Sequence, residues 1–105
     1  MRYCIVIQLQ NSSDMARLKN DVPVIVSLIR GHSDKNEMAF RSNDGVLFGW
    51  FIQTNKPIDM IRNAIEGSLA WQSADSIMIF EVSKGLSGKG FTRQWAWLQH
   101  TATED

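Results

Sequence analysis

The spacing of apolar residues predicts four strands along the chain. Arg2–Gln10 carries apolar side chains at both alternating sets of positions, which predicts an interior strand covered on each face. Asn43-Asp44-Gly45 is a tight-turn signal between a weakly alternating segment, Glu37–Arg41, and an apolar one, Val46–Gln53. These two segments are therefore predicted to form a hairpin. Ser76–Val82 predicts the fourth strand.

The first helix is predicted from apolar residues that recur three and four positions apart over Met15–Ile29. Gly31 follows as a helix-ending residue. Pro23 opposes an unbroken helix, because an interior proline loses a hydrogen bond and clashes with the preceding turn. Either the helix is kinked, or Asp21 caps a second segment. The β-branched run Val22–Ile29 also fits a strand, but the spacing favours a helix.

The second helix is predicted over Asn55–Glu66, with Gly67 at its end. Residues 82–100 form a C-terminal extension, in which Phe91–His100 fits either a helix or a strand; we favour a helix. Residues 101–105 are predicted to fray.

The order β-α-β-β-α-β predicts an α+β, ferredoxin-like fold, with a four-stranded antiparallel sheet and two helices on one face. The length of 105 residues predicts a single domain over residues 1–100. Two helices cover one face of the sheet, yet the other face also carries apolar residues, among them Cys4 and Val6. Such a face is unfavourable in water, so either the C-terminal extension covers it within one chain or a second copy of the chain covers it. We favour a homodimer, with Cys4, Val6 and Trp97 at its interface.

The composition limits which cell compartment and which binding partners the sequence favours. Lys plus Arg and Asp plus Glu each number 11, so no net charge draws the chain to nucleic acid or to a membrane. The single cysteine, Cys4, excludes an internal disulfide. The sequence shows neither a signal peptide nor an apolar run long enough to span a membrane, which predicts a cytoplasmic protein. No residue pattern points to a catalytic group, a cofactor or a metal site.

The second half of the chain resembles small bacterial SinR-like proteins, which are related to the VapD ribonucleases and to the smaller CRISPR adaptation subunit. The matching residues are Trp50–Gln53, Ile61–Ile65, Asp75–Val82 and Trp97-Leu98. The resemblance implies the fold, a dimer and a metal-dependent endoribonuclease. The metal-binding Asp that it implies at the end of the first strand falls on Gln8, whose neutral amide is a poor Mg²⁺ ligand. This difference argues against nuclease activity.

The glycine-rich stretch Lys84–Arg93 is the candidate binding segment. Its cations, Lys84, Lys89 and Arg93, could contact phosphate or a partner, since glycine-rich turns after strands can cradle anions. A solvated connector is the simpler interpretation. Trp95 and Trp97 could stack on bases, although packing at an interface is commoner for tryptophan.

Three functions remain open. The first is a non-catalytic, dimeric binding protein that acts on a protein or RNA partner, such as an inhibitor or antitoxin-like factor of a phage or mobile element. The second is a metal-dependent endoribonuclease that uses less obvious ligands, such as Asp14 or Asp75. The third is a regulator that binds a small molecule on the sheet face.

Overall fold

The structure is a computed structural model that describes residues 1–10, 15–83 and 89–101. Its elements, in chain order, are β1 (Arg2–Gln8), a π-helical turn (Arg17–Asp21), α1 (Val22–Gly31), β2 (Lys35–Arg41), β3 (Leu47–Gln53), α2 (Ile58–Glu66), β4 (Ser76–Glu81) and α3 (Thr92–Thr101).

The strands form one antiparallel sheet in the order β2-β3-β1-β4. This confirms the predicted α+β class and the four-stranded antiparallel sheet. The predicted strands are found within two residues of their expected starts: β2 begins at Lys35 and β3 at Leu47. The strand order places β1 between β3 and β4, so the first strand is an interior one, as its apolar residues on both faces indicate.

α1 and α2 pack on one side of the sheet, which we call the front face. The main core lies between them and the sheet and is built from buried aliphatic and aromatic side chains. Its fully buried residues include Ile5, Ile7, Ile25, Ile29, Ile52, Ile61 and Ile65. These residues come from strands at every second position and from helices at intervals of four. The structure therefore confirms these residues as the front layer, as the periodicity of the sequence predicts.

Val22–Ile29 is helical, and Pro23 stands in the first turn of α1. The π-helical turn precedes it, with the Val22 N–H donating to the Arg17 carbonyl five residues earlier. Pro23 thus follows an irregular turn and does not interrupt a regular helix, so its missing N–H costs little there. Asp21 does not cap α1 with its side chain; it binds Arg17 instead.

α2 begins at Ile58, three residues later than predicted. Pro57 has an extended backbone (ψ 136°). The proline ring also clashes with a helical conformation of the residue before it, so Lys56 is disfavoured in a helix. The Lys56 N–H donates to the Thr54 side chain in a turn, and this hydrogen bond takes the place of a helical start at Asn55.

α3 packs on the opposite side of the sheet, which we call the back face. Phe91–His100 was predicted to favour a helix, and the helix Thr92–Thr101 confirms this. The prediction that fraying starts at residue 101 is wrong for Thr101, which is fully buried in the last turn of α3. Residues 102–105 lie outside the described residues.

Candidate binding groove

α3 is held on the back face by an apolar cluster. Leu98 of α3 packs with Cys4 of β1 and with Ala39 of β2, and all three are buried. The Trp97 ring stacks on Phe51 of β3, with centroids 5.8 Å apart and ring planes 11° from parallel. The helix therefore covers part of the sheet face that two helices alone would leave in water.

Arg2 anchors the C-terminal end of α3. This residue is fully buried, and one guanidinium nitrogen donates to the Leu98 carbonyl at 2.9 Å and to the Thr101 hydroxyl at 3.4 Å. The other terminal nitrogen donates to the Ser83 carbonyl at 3.2 Å. The carbonyls of a helix's last turn lack helical partners and carry the negative end of the helix dipole, so a cation there is stabilising.

Two polar contacts fix α3 along β2. The Gln94 side chain donates to the Met38 carbonyl at 3.1 Å, and the Arg93 Nε lies 2.8 Å from the Glu37 carboxylate. Arg93 remains 82% exposed, so solvent screens this ion pair and its main effect is on the position of the helix.

A groove of about 450 Å³ lies between α3 and the sheet. We call it the back-face groove. From the sheet it is lined by Cys4, Ala39, Phe40, Phe51 and Phe80; from α3 by Gln94, Trp95 and Leu98; and from the segment before α3 by Lys89, Gly90 and Phe91. Among the described residues, Gln94 and Lys89 contribute the polar side chains of this lining. Phe40, Phe80 and Phe91 are exposed, so the groove is open to solvent.

Cys4 adds no charge to the lining of the groove. Burial raises the pKa of the Cys4 thiol to about 11, so the thiol is neutral at physiological pH. A buried neutral thiol behaves as a small apolar group. Cys4 therefore adds to the apolar character of the groove and is a poor nucleophile.

A β-bulge in β2 shapes the sheet side of the groove. The register with β3 shifts between Met38 and Phe40, which leaves Ala39 as the extra residue. Phe40 then lies over Gly49 so closely that a Cβ added to Gly49 would stand 2.3 Å from the ring. Because Gly49 has no side chain, the Phe40 ring has room beside the groove.

Phe91 has a left-handed backbone, with φ of 43°. Such a conformation costs a bulky L-residue about 1–2 kcal/mol. The Phe91 side chain is 70% exposed, so burial within the chain offsets little of this cost. The residue accepts the first hydrogen bond of α3, from the Trp95 N–H, and lines the groove.

The structure brings together part of the predicted binding segment. Lys89 and Trp95 both line the back-face groove, whereas Arg93 pairs with Glu37 and Trp97 stacks on Phe51. Lys84 lies outside the described residues. The predicted phosphate or partner contact of these residues stays a prediction.

The residues predicted at a dimer interface lie together on the back face. Cys4 is buried beneath α3, while Val6 and Trp97 are partly buried in the same cluster. Their role in a dimer stays a prediction.

Sequence reasoning did not find Phe40, Phe80 or Phe91 as groove residues. Alternation in β2 and β4 indicates which of their residues share a face, but the groove depends on where α3 lies.

Asp75 is held in a buried ion pair with Arg17. The two guanidinium–carboxylate distances are 2.7 and 2.8 Å, and the Gln10 and Gln72 N–H groups donate to the same carboxylate. Burial by itself raises the pKa of Asp75, but these hydrogen bonds outweigh burial and hold it below its usual value. Both carboxylate oxygens are thus occupied. Asp14, the other acidic residue considered as a metal ligand, lies outside the described residues.

Comparison with known protein families, with curated proteins and with solved structures finds no significant match. The resemblance to SinR-like and VapD-like proteins therefore stays a prediction. Within residues 1–10, 15–83 and 89–101, no group of three or more His, Cys, Asp or Glu side chains is placed to hold a metal ion. None of the helices in the same ranges has the length and apolar character needed to cross a bilayer.

Proposed function

We propose that this chain is a non-catalytic binding protein with a ferredoxin-like fold. Its back-face groove binds a small, largely apolar molecule that carries an acidic group. The strand order β2-β3-β1-β4, with a helix between β1 and β2 and another between β3 and β4, supports the ferredoxin-like topology.

The apolar groove is the observation that carries the proposal. Its volume of about 450 Å³ lies within the range of about 300–1,000 Å³ that is typical of small-molecule sites. The lining is aromatic and aliphatic with few polar groups, as in sites that bind by apolar contact and use polar groups for orientation.

Lys89 gives the groove its charge preference. Of the lining residues that the structure describes, Lys89 is the charged one, and it is exposed. An exposed cation beside an apolar groove favours a ligand with an apolar body and a carboxylate at one end. The ion pair contributes about 1 kcal/mol or less because solvent screens it.

The backbone of Phe91 supports a binding role. A costly conformation at an exposed aromatic residue is unexplained by packing within the chain. Strained residues cluster at ligand-binding sites, where the strain is offset by what the side chain does for the ligand. A ligand in the groove would bury the Phe91 ring.

The endoribonuclease alternative receives less support. A metal-dependent nuclease needs acidic ligands that are free to bind a cation. Asp75, one of the two candidate ligands, already accepts hydrogen bonds on both oxygens. RNA binding by base stacking is also less favoured, because the Trp97 ring is engaged with Phe51.

Calorimetric titration with decanoate and with decanol tests the proposal. We expect both to bind, and decanoate to bind about threefold more tightly because of its ion pair with Lys89. Lys89→Gln should remove this difference, whereas Lys19→Gln, which changes an exposed lysine elsewhere, should retain it. Failure of both probes to bind would overturn the apolar groove as the binding site.

Phe91→Asn separates a binding role from a structural one. Asn tolerates a left-handed backbone better than Phe does, so we expect the variant to be about 1 kcal/mol more stable than the wild type. Loss of the aromatic contact should weaken decanoate binding about tenfold. Leu69→Asn is the matched control, because Leu69 is fully exposed in the loop after α2. Thermal unfolding and calorimetry measure the two effects, and equal binding by both variants would contradict the proposal.

A further inference from the structure

The two edges of the sheet differ in how they are protected. At the β2 edge, a bulge interrupts the strand, Lys35 and Arg41 flank it, and the Gln94 side chain caps the Met38 carbonyl. Bulges, charges and covering side chains are the usual means by which proteins prevent strands from adding to an edge. The β2 edge is therefore closed to a further strand.

Within residues 1–10, 15–83 and 89–101, the β4 edge shows none of these protections. β4 pairs with β1 in an unbroken register over all of Ser76–Glu81. Its sequence, SIMIFE, contains no proline, no lysine and no charge before Glu81. Within the part of the chain that the structure describes, no strand pairs with its outer side. A regular, apolar edge strand of this kind is a template for another strand.

The hydrogen-bond pattern shows which backbone groups face outward. The Val82 N–H donates to the Arg2 carbonyl at 2.9 Å, so the even-numbered residues of β4 point their backbone groups toward β1. In an antiparallel pair these directions alternate along the strand. The N–H and C=O groups of Ile77, Ile79 and Glu81 therefore point away from the sheet.

The side chains of β4 are also apolar on both faces. Met78 is 58% and Phe80 45% exposed on the back face, while Ile77 and Ile79 are half-buried on the front face. An edge that offers outward-pointing backbone groups and exposed apolar side chains fits a partner strand of the same character.

We propose that two copies of this chain pair through antiparallel β4 strands to give a continuous eight-stranded sheet. Ile79 lies on the two-fold axis and exchanges backbone hydrogen bonds with Ile79 of the partner subunit. Met78 then lies opposite Phe80 of the partner subunit on the back face, and Ile77 lies opposite Glu81 of the partner subunit.

This register is self-complementary. It places side chains of the same face opposite one another, and it uses all three outward-facing residues of each strand. The two Glu81 carboxylates stand at opposite ends of the ribbon, so no like charges face each other. Because a two-fold contact closes on itself and the β2 edge is protected, assembly stops at the dimer.

Light scattering coupled to gel filtration tests the dimer. We expect a mass of twice the 11.9 kDa of one chain. Met78→Lys places a charge on the edge strand and should raise the dissociation constant at least about tenfold. Met60→Lys, on the exposed side of α2, is the matched control and should leave it unchanged. A monomer at every concentration, or equal dissociation constants in the two variants, would overturn the proposal.

Cross-linking tests the register and does not depend on the lysine variants. In a Cys4→Ala background, Met78→Cys and Phe80→Cys are purified separately and then oxidised alone and as a mixture. We expect disulfide-linked dimers to form fastest in the mixture, where the two positions are opposite each other. If either variant alone forms disulfide-linked dimers as fast as the mixture does, the proposed register is wrong. Loss of the dimer with decanoate binding intact would leave the proposed groove unaffected.

Discussion

Arg17 and Asp75 show how much a single buried residue can depend on its partner. The five guanidinium N–H groups of Arg17 have acceptors in Asp75, Asp21 and the Gln10 and Ala70 carbonyls. Asp75→Asn removes the negative charge and leaves a buried cation without full compensation. We expect a loss of about 3–5 kcal/mol in the free energy of unfolding, measured by urea denaturation at neutral pH.

Replacing both partners provides the control for this prediction. Arg17→Met combined with Asp75→Leu removes both buried charges, and the Asp21 carboxylate that loses Arg17 is 26% exposed and can be solvated by water. The double variant should therefore be more stable than Asp75→Asn alone. If it is equally unstable, packing and not charge dominates at this site.

The lowered pKa of Asp75 predicts acid sensitivity. Because the folded carboxyl holds its proton less tightly than the unfolded one, its contribution to stability is complete above the unfolded pKa of about 3.9. The contribution is lost as the pH falls below that value and through the lower folded pKa. Between about pH 5 and pH 2 the unfolding free energy should fall less steeply in Asp75→Asn than in the wild type. Identical slopes would contradict the assignment.

At the scale of single elements, α3 depends on a residue far from it in the chain. Arg2 binds the last turn of α3 from the central strand, so Arg2→Gln should loosen the helix. Hydrogen bonds from a charged donor contribute about 1.5–3 kcal/mol, and we expect a loss of about 2–3 kcal/mol. The rate at which a thiol reagent labels Cys4, which α3 covers, should rise accordingly.

Arg62→Gln is the matched control for Arg2→Gln. Arg62 forms an exposed pair with Glu66, four residues along α2, at 3.7 Å. Such a pair contributes only a few tenths of a kcal/mol, so stability and Cys4 labelling should hardly change. If Arg2→Gln behaves like Arg62→Gln, Arg2 does not anchor α3.

At the scale of the whole molecule, the sheet has an apolar layer on each side. A chain that ends at Ser83 lacks α3 and exposes the back-face cluster around Cys4 and Phe51. We expect this shortened chain to aggregate or to bind a hydrophobic dye strongly, because large apolar patches are unfavourable in water. A soluble, dye-free product would show that the front layer folds without α3.

Much of this architecture could be predicted because it follows from local periodicity. The strands and the front-face helices are regular elements whose apolar residues recur at fixed intervals, so the α+β class and the four-stranded sheet followed from the sequence. The spacing prediction is wrong at the start of the first helix. Met15 continues the helical spacing but is 61% exposed, so it lies outside the core.

The groove and the buried ion pair could not be predicted, because they depend on contacts between distant residues. Arg2 meets Leu98 across 96 positions of sequence, and Arg17 meets Asp75 across 58. No local pattern distinguishes these arginines from surface ones. The groove likewise depends on the bulge in β2 and on where α3 comes to rest.

The tryptophans on the two layers provide separate optical signals. Trp50 belongs to the front core and lies under the Arg30 guanidinium at 5.3 Å, whereas Trp97 lies against Phe51 on the opposite side. Replacing Trp50 and Trp71 with phenylalanine, or Trp95 and Trp97, would leave tryptophans in one layer only, so emission spectra would follow that layer by itself during heating. Coincident transitions would mean that the sheet transmits cooperativity from one layer to the other.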